Sequence, residues 1–222
     1  MEDIAKLEIF EIEVLEKLNS KKILERLLFG GGTMLRLCHD LNRFSVDLDF
    51  WLYKVKDVDL FFNEVRALLK EEYELTDAQI KHFTLLFDVR KSSYPRRLKI
   101  EIRKENKDFI FEQAIAFSRY STKQVMVKSL TLEQMMKNKV EAFIERGLIR
   151  DIFDMEFLLK KGIWIDIDID NLEKIKRIAS GLRESDYKVS LGSLLDDKNR
   201  RYYLSNNFKL LLGKIDELIS RS

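Results

Sequence analysis

The sequence predicts an α/β chain in two parts: a strand-containing core over residues 1–128 and a helical part over 129–222. Three observations carry that prediction. Short runs that alternate apolar with polar residues recur between residues 46 and 104, stretches with apolar residues at helical spacing lie between them, and beyond about residue 130 mainly helical spacing remains. At 222 residues, 45% apolar and 35% charged, the chain can bury a sizeable core and has the composition of an ordered globular protein.

Taken in order, residues 5–27 carry Ile and Leu at helical spacing, and Leu27-Leu28-Phe29 reads as a short strand. It runs into a glycine turn, with a short helix expected over 32–40. Residues 46–53 (VDLDFWLY) alternate acid and apolar as a strand does, and 57–74 return to the helical period. Residues 80–90 and 96–104 read as paired strands around Ser92-Ser93-Tyr94-Pro95, a turn that holds the only proline. Strand and loop are expected over 105–127, then helices over 131–146, 148–161, 171–183 and 201–220. Thr131 with Gln134 has the spacing of a capping box. No Gly/Ser linker marks residues 125–130, so the halves are expected to pack together. No repeat or low-complexity tract is visible.

Several classes of function are excluded. Cys38 is the only cysteine, so neither a disulfide framework nor a cysteine zinc site can form. Two histidines, His39 and His82, are too few for a His-rich metal centre. A net charge of +2 makes no overall case for nucleic-acid binding, and the clusters Arg96-Arg97, Lys99 and Arg103-Lys104 read first as solvated charge. The N-terminus lacks the basic start and apolar core of a signal peptide, and no apolar run nears the length of a membrane span. A cytoplasmic protein with no membrane partner is expected.

The stretch 29–50, FGGGTMLRLCHDLNRFSVDLDF, carries the chemistry. Gly30-Gly31-Gly32-Thr33 lets backbone approach a phosphate, and the helix start behind it offers N–H groups and a positive dipole end. No Gly-Lys-Ser/Thr closes the turn, so it is not a Walker A loop. Asp47 and Asp49, two apart on a strand, project from one face and can share a divalent cation. Phosphate cradle plus metal-binding carboxylates points to phosphoryl or nucleotidyl transfer. Glu101, an acid inside Leu98–Ile102, is by itself a solvent-facing residue. Beside the Asp47/Asp49 strand it becomes a third carboxylate, able to ligate metal or take a proton. In 137–158, Lys139, Arg146, Arg150, Asp151 and Asp154 fit either a salt-bridged helix face or a set that reaches a triphosphate. Asp166, Asp168 and Asp170 run into a helix and read as N-terminal acids, not a second metal site.

In order along the chain, Gly31-Gly32-Thr33, Arg43-x-Ser45-x-Asp47-Leu48-Asp49-Phe50, Lys99-x-Glu101 and Lys139-x-x-Ala142-x-x-x-Arg146-x-x-x-Arg150-Asp151-x-x-Asp154 resemble the AbiEii/AbiGii toxin family of nucleotidyltransferases, relatives of DNA polymerase β. The matching stretch covers about 30–155. The resemblance implies a polymerase β-like mixed sheet flanked by helices, with a helical C-terminal part. It implies magnesium (or manganese) at Asp47 and Asp49, completed by Glu101, and a nucleoside triphosphate over Gly31, Gly32 and Thr33. Arg43, Ser45, Lys139, Arg146 and Arg150 would contact the nucleotide, and Asp151 or Asp154 would be a catalytic or orienting acid. Transfer of a nucleotide to an acceptor such as RNA or tRNA, and a cognate antitoxin partner, are further implications. Glutamate stands at 101 where the superfamily often has aspartate. A kinase-like phosphotransferase and a non-catalytic nucleotide-binding module are the alternatives.

Overall fold

A computed structural model describes residues 2–105, 107–164 and 166–221. The chain divides into two compact units, Met1–Thr131 and Leu132–Ser222.

In the first unit, helix α1 (Glu2–Ser20) is apolar on most of its circumference and buries Leu7, Phe10, Val14, Leu15 and Leu18 against strands of the sheet. A single 3-10 turn, Ile23–Arg26, leads into strand β1 (Leu27–Gly30). Helix α2 (Gly31–His39) follows without a connecting loop, and then come β2 (Asp47–Leu52) and helix α3 (Val58–Lys70). Asp57 caps α3 by accepting from the Leu60 N–H at 2.8 Å. The remaining strands are β3 (Glu74–Ile80), β4 (Thr84–Arg90), β5 (Leu98–Arg103), β6 (Phe111–Phe117) and β7 (Gln124–Leu130).

All seven form one sheet in the order β3-β4-β5-β2-β1-β7-β6. It is mixed, as expected: β2 with β5 and β1 with β7 are parallel, and the other neighbours antiparallel. Strand β3 lay within no expected strand. Its sequence, ELTDAQI, has no apolar face to bury, because it is an edge strand paired on one side only. The helix expected to reach residue 74 accordingly stops at Lys70.

The second unit is helical: α4 (Leu132–Arg146), α5 (Ile149–Lys160), α6 (Ile169–Ser180), a π-turn segment at Asp186–Leu191, α7 (Asp197–Asn206) and α8 (Lys209–Ser220). The single helix expected over 201–220 is two helices. The chain breaks at Asn207, whose φ of 50° a helix cannot accommodate and Asn tolerates better than most residues. The break turns Phe208 inward, fully buried, with its ring 5.4 Å from that of Tyr203. Fully buried Glu156 ties these helices together, accepting from the Tyr203 hydroxyl at 3.0 Å and the Leu211 N–H at 3.2 Å. Asp168 caps α6 through the Asn171 N–H at 2.9 Å, so the Asp166–Asp170 run is a helix-start feature as read. Ile165, between Trp164 and that run, lies outside the described residues.

Candidate active site

The site is assembled by the register of three adjacent strands. Gly30 pairs with Asp49 across β1 and β2, and Asp49 pairs with Glu101 across β2 and β5. One pair further along β2, Asp47 sits beside Lys99. Leu48, Phe50, Ile100 and Ile102 are fully buried on the opposite face, which forces the alternating acids to the other side. Asp47, Asp49 and Glu101 therefore share one face of the sheet, all half-buried.

The glycine turn closes on this face. Gly31 has φ +74°, a backbone conformation that favours glycine, and a Cβ placed there would stand 2.2 Å from Oδ2 of Asp49. A Cβ on Gly32 would stand 2.4 Å from a guanidinium nitrogen of Arg43 and 2.8 Å from Oγ of Ser45. The turn, Arg43, Ser45 and Asp49 are thus brought into contact. No acid occupies the first turn of α2 itself, and the carboxylate that lies against the positive end of the helix is that of Asp49 from β2. Arg43 is buried, and one of its nitrogens donates to the Phe44 carbonyl at 2.9 Å. Thr33 is fully buried, and its hydroxyl donates to the Asp47 carbonyl at 2.6 Å. It clamps the start of α2 to the start of β2, supporting the cradle from behind.

Lys99 donates to Glu101 across 2.8 Å. Burial works against its charge, but the Glu101 hydrogen bond and the fields of Asp47, Glu101 and Asp49 outweigh burial and hold the ammonium above its ordinary value. Behind the strand lies a cluster that sequence reasoning missed. Glu8 on α1 accepts from Arg36 at 2.9 Å and from the Ser118 hydroxyl at 2.6 Å. Glu11, one helical turn on, is fully buried, and its Oε1 has no hydrogen-bond partner. Burial, reinforced by Glu8 and Asp47, pushes Glu11 well above the ordinary carboxylate range. Nothing in the sequence marks Glu11 out among the several acids of α1, because its burial is decided by what packs around the helix.

The donor set suits a hard divalent cation. Among the described residues no three acidic, His or Cys side chains form a ready-made metal cage. Magnesium, however, is commonly held by one or two carboxylates plus substrate phosphates. Two carboxylates alternating on one strand, with a glycine turn against the second, fit that mode.

In Leu132–Ser222 the remaining predicted residues form a buried charge network. Lys139, 7% exposed, pairs with Asp151 at 3.2 Å and with Asp154 at 2.6 Å. Arg146 grips Asp151 with two hydrogen bonds of 2.8 Å. Both aspartates are fully buried. The salt-bridged surface face read from the i,i+4 spacing is corrected here: the pairs cross from α4 to α5, because the turn at Gly147 folds one helix onto the other. Arg150 instead lines a cavity of about 320 Å³ with Leu148 and Asp186. Cys38 is half-buried, and burial first, with Glu112 second, pushes its thiol up to about 12, which rules out an activated nucleophile.

A mixed seven-stranded sheet presenting a glycine turn and alternating carboxylates on one face is the architecture of a nucleotidyltransferase. The chain belongs to the nucleotidyl transferase AbiEii toxin family, described as a type IV toxin–antitoxin system, whose sequence profile matches residues 13–205. Its fold is shared with JHP933 from Helicobacter pylori, at 20% identity, covering 91% of this chain and 94% of that one, with a TM-score of 0.53. It is shared too with an H. pylori protein solved as a candidate nucleotidyltransferase, at 21% identity, covering 94% and 96%, with a TM-score of 0.56. A DNA polymerase of Methanocaldococcus jannaschii is 24% identical over 217 residues, a match that takes in 86% of this chain and 13% of that protein. The chain thus spans only a small part of that relative. No helix among the described residues is long and apolar enough to cross a membrane.

Proposed function

We propose that the protein is a divalent-cation-dependent nucleotidyltransferase that moves NMP from an NTP to an acceptor hydroxyl, with RNA such as tRNA as the acceptor class. The observation that carries this reading is the approach of Gly31 to Asp49, close enough that no side chain fits between them. A phosphate over the turn would lie against the carboxylate best placed to share its cation.

In the reaction the acceptor oxygen bonds to the α-phosphorus. The bond from that phosphorus to the α–β bridging oxygen breaks, and pyrophosphate leaves with the electron pair. Asp47 and Asp49 would hold magnesium or manganese, which when bound supplies charge neutralisation on the phosphates. Glu101 completes the set or accepts the hydroxyl proton once it releases Lys99. Gly31, Gly32, Arg43 and Ser45 hold the nucleotide, with Thr33 fixing the turn. In the helical unit we assign phosphate contact to Lys139, Arg146 and Arg150, and orientation of Lys139 to Asp151 and Asp154. The family description supports a role as the toxin of a pair with a cognate antitoxin, and we place its action in the cytoplasm.

The test is incubation with each NTP, magnesium and total cellular RNA, followed by mass analysis of the RNA. A gain of one or more whole nucleotides is expected. A gain of phosphate alone would make the protein a kinase, and no change with any NTP would make it a non-catalytic binding module.

A further inference from the structure

Beside the carboxylates lies a cavity of about 530 Å³ that shares only Asp47 with the residues assigned to the metal and the nucleotide. Asp47 forms one rim, and the lining is dominated by Arg90 at the end of β4, Arg96 and Arg97 from the β4–β5 turn, and Lys99 on β5, with Asp88 as the second acid. None of Gly31, Gly32, Asp49 or Glu101 lines it. Two of the cations are already engaged, Arg97 with Asp88 at 3.5 Å and Lys99 with Glu101 at 2.8 Å. Arg90 and Arg96 are exposed and, among the described residues, no carboxylate lies within ion-pair distance of either. The chain carries a net charge of only +2, so this is a local concentration of positive charge rather than part of a general field.

We propose that this cavity is the acceptor subsite, with Arg90 and Arg96 gripping backbone phosphates of a single-stranded RNA end so that its terminal hydroxyl reaches Asp47. The inference rests on the nucleotidyltransferase reading and adds to it the residues that hold the acceptor. Displacement at phosphorus places the attacking and leaving oxygens roughly in line. A triphosphate on the glycine turn occupies the Asp49 side, which leaves the acceptor the Asp47 side, where the cavity opens. The volume suits a nucleotide-sized group, and the guanidinium forks suit phosphate oxygens.

The experiment measures binding of a fluorescein-labelled single-stranded RNA dodecamer with a free 3′ hydroxyl, without NTP, across a salt series. The proteins are wild type, the double variant Arg90→Ala/Arg96→Ala, and the charge-conserving Arg90→Lys/Arg96→Lys. Both positions are exposed, so the fold is expected to persist. The alanine variant should bind about tenfold or more weakly and lose about 1.4 from the slope of log K against log salt, roughly 0.7 for each lost phosphate contact. The lysine variant should recover most of that slope, and affinity for a non-hydrolysable NTP should not change in either. Loss of NTP affinity with RNA binding intact would assign the arginines to the triphosphate and overturn the proposal. So would equal RNA binding by all three proteins, or no binding by wild type. The readout needs no turnover. RNA binding that depends on these arginines in a protein that transfers nothing would sink the proposed activity while leaving the subsite standing.

Discussion

At the scale of single residues, the account turns on what each carboxylate touches. Glu101 stands in register with Asp49 and is held by Lys99. Glu101→Gln keeps the shape and removes the charge, so turnover should fall far more than NTP affinity in steady-state and binding measurements. Lost NTP binding with a preserved catalytic rate would remove Glu101 from the chemistry. Glu11 makes a different prediction, about pH. Its carboxyl sits well above the ordinary value of 4.5 in the fold, so above that pH the native state holds a proton that the unfolded chain has released. Stability from this group is present below about pH 4.5 and drains away as pH rises toward the folded value. Glu11→Gln should therefore melt above wild type near pH 7, and the difference should vanish below about pH 4. A constant difference across that range would contradict the buried, neutral acid. Asp47, Asp49 and Glu101 could be read in the sequence because acids alternating with large apolar residues mark one strand face. Glu11 could not, because its burial depends on what packs around α1.

At the scale of elements, the strands that build the site were legible and the polar edge was not. β2 and β5 announce themselves by alternation, whereas β3 alternates nothing that needs burying. The break between α7 and α8 was hidden for a related reason. Helical spacing continues through Asn207, and only the burial of Phe208 shows why the chain turns there. The α4–α5 network is the case where spacing misled: i,i+4 pairing suggested a surface face, and folding about Gly147 produced a buried cluster. That changes what Lys139→Ala should do. As a surface charge its loss would cost well under about 1 kcal/mol, but removing it here leaves Asp154 without its Lys139 partner. Urea unfolding should show a loss of about 3–5 kcal/mol. If Lys139 also touches phosphate, affinity for a non-hydrolysable NTP should drop about ten- to hundredfold with NMP affinity little changed, a charge-assisted contact being worth roughly 1.5–3 kcal/mol. Lost stability with unchanged NTP affinity would leave Lys139 a purely structural residue.

At the scale of the whole molecule, the α/β class followed from the alternation of strand and helix patterns, and the sheet order brings together residues far apart in sequence. Gly31, Asp49 and Glu101 span 70 positions, yet the neighbouring strands β2 and β5 and the start of α2 just after β1 set them side by side. The order of motifs was visible in the sequence; the register that makes them one site was not, since strand pairing is decided by non-local packing. The same sheet gives the central claim its sharpest test. Asp47→Ala and Asp49→Ala, compared with wild type, should be assayed for transfer of label from an α-labelled NTP to RNA over a magnesium titration, with melting followed in parallel. Both variants should lose transfer at every magnesium concentration. Both should melt at or above the wild-type temperature without magnesium, because removing one acid relieves like-charge repulsion on that face. Wild-type transfer by either variant would contradict the metal site and, with it, the proposed activity.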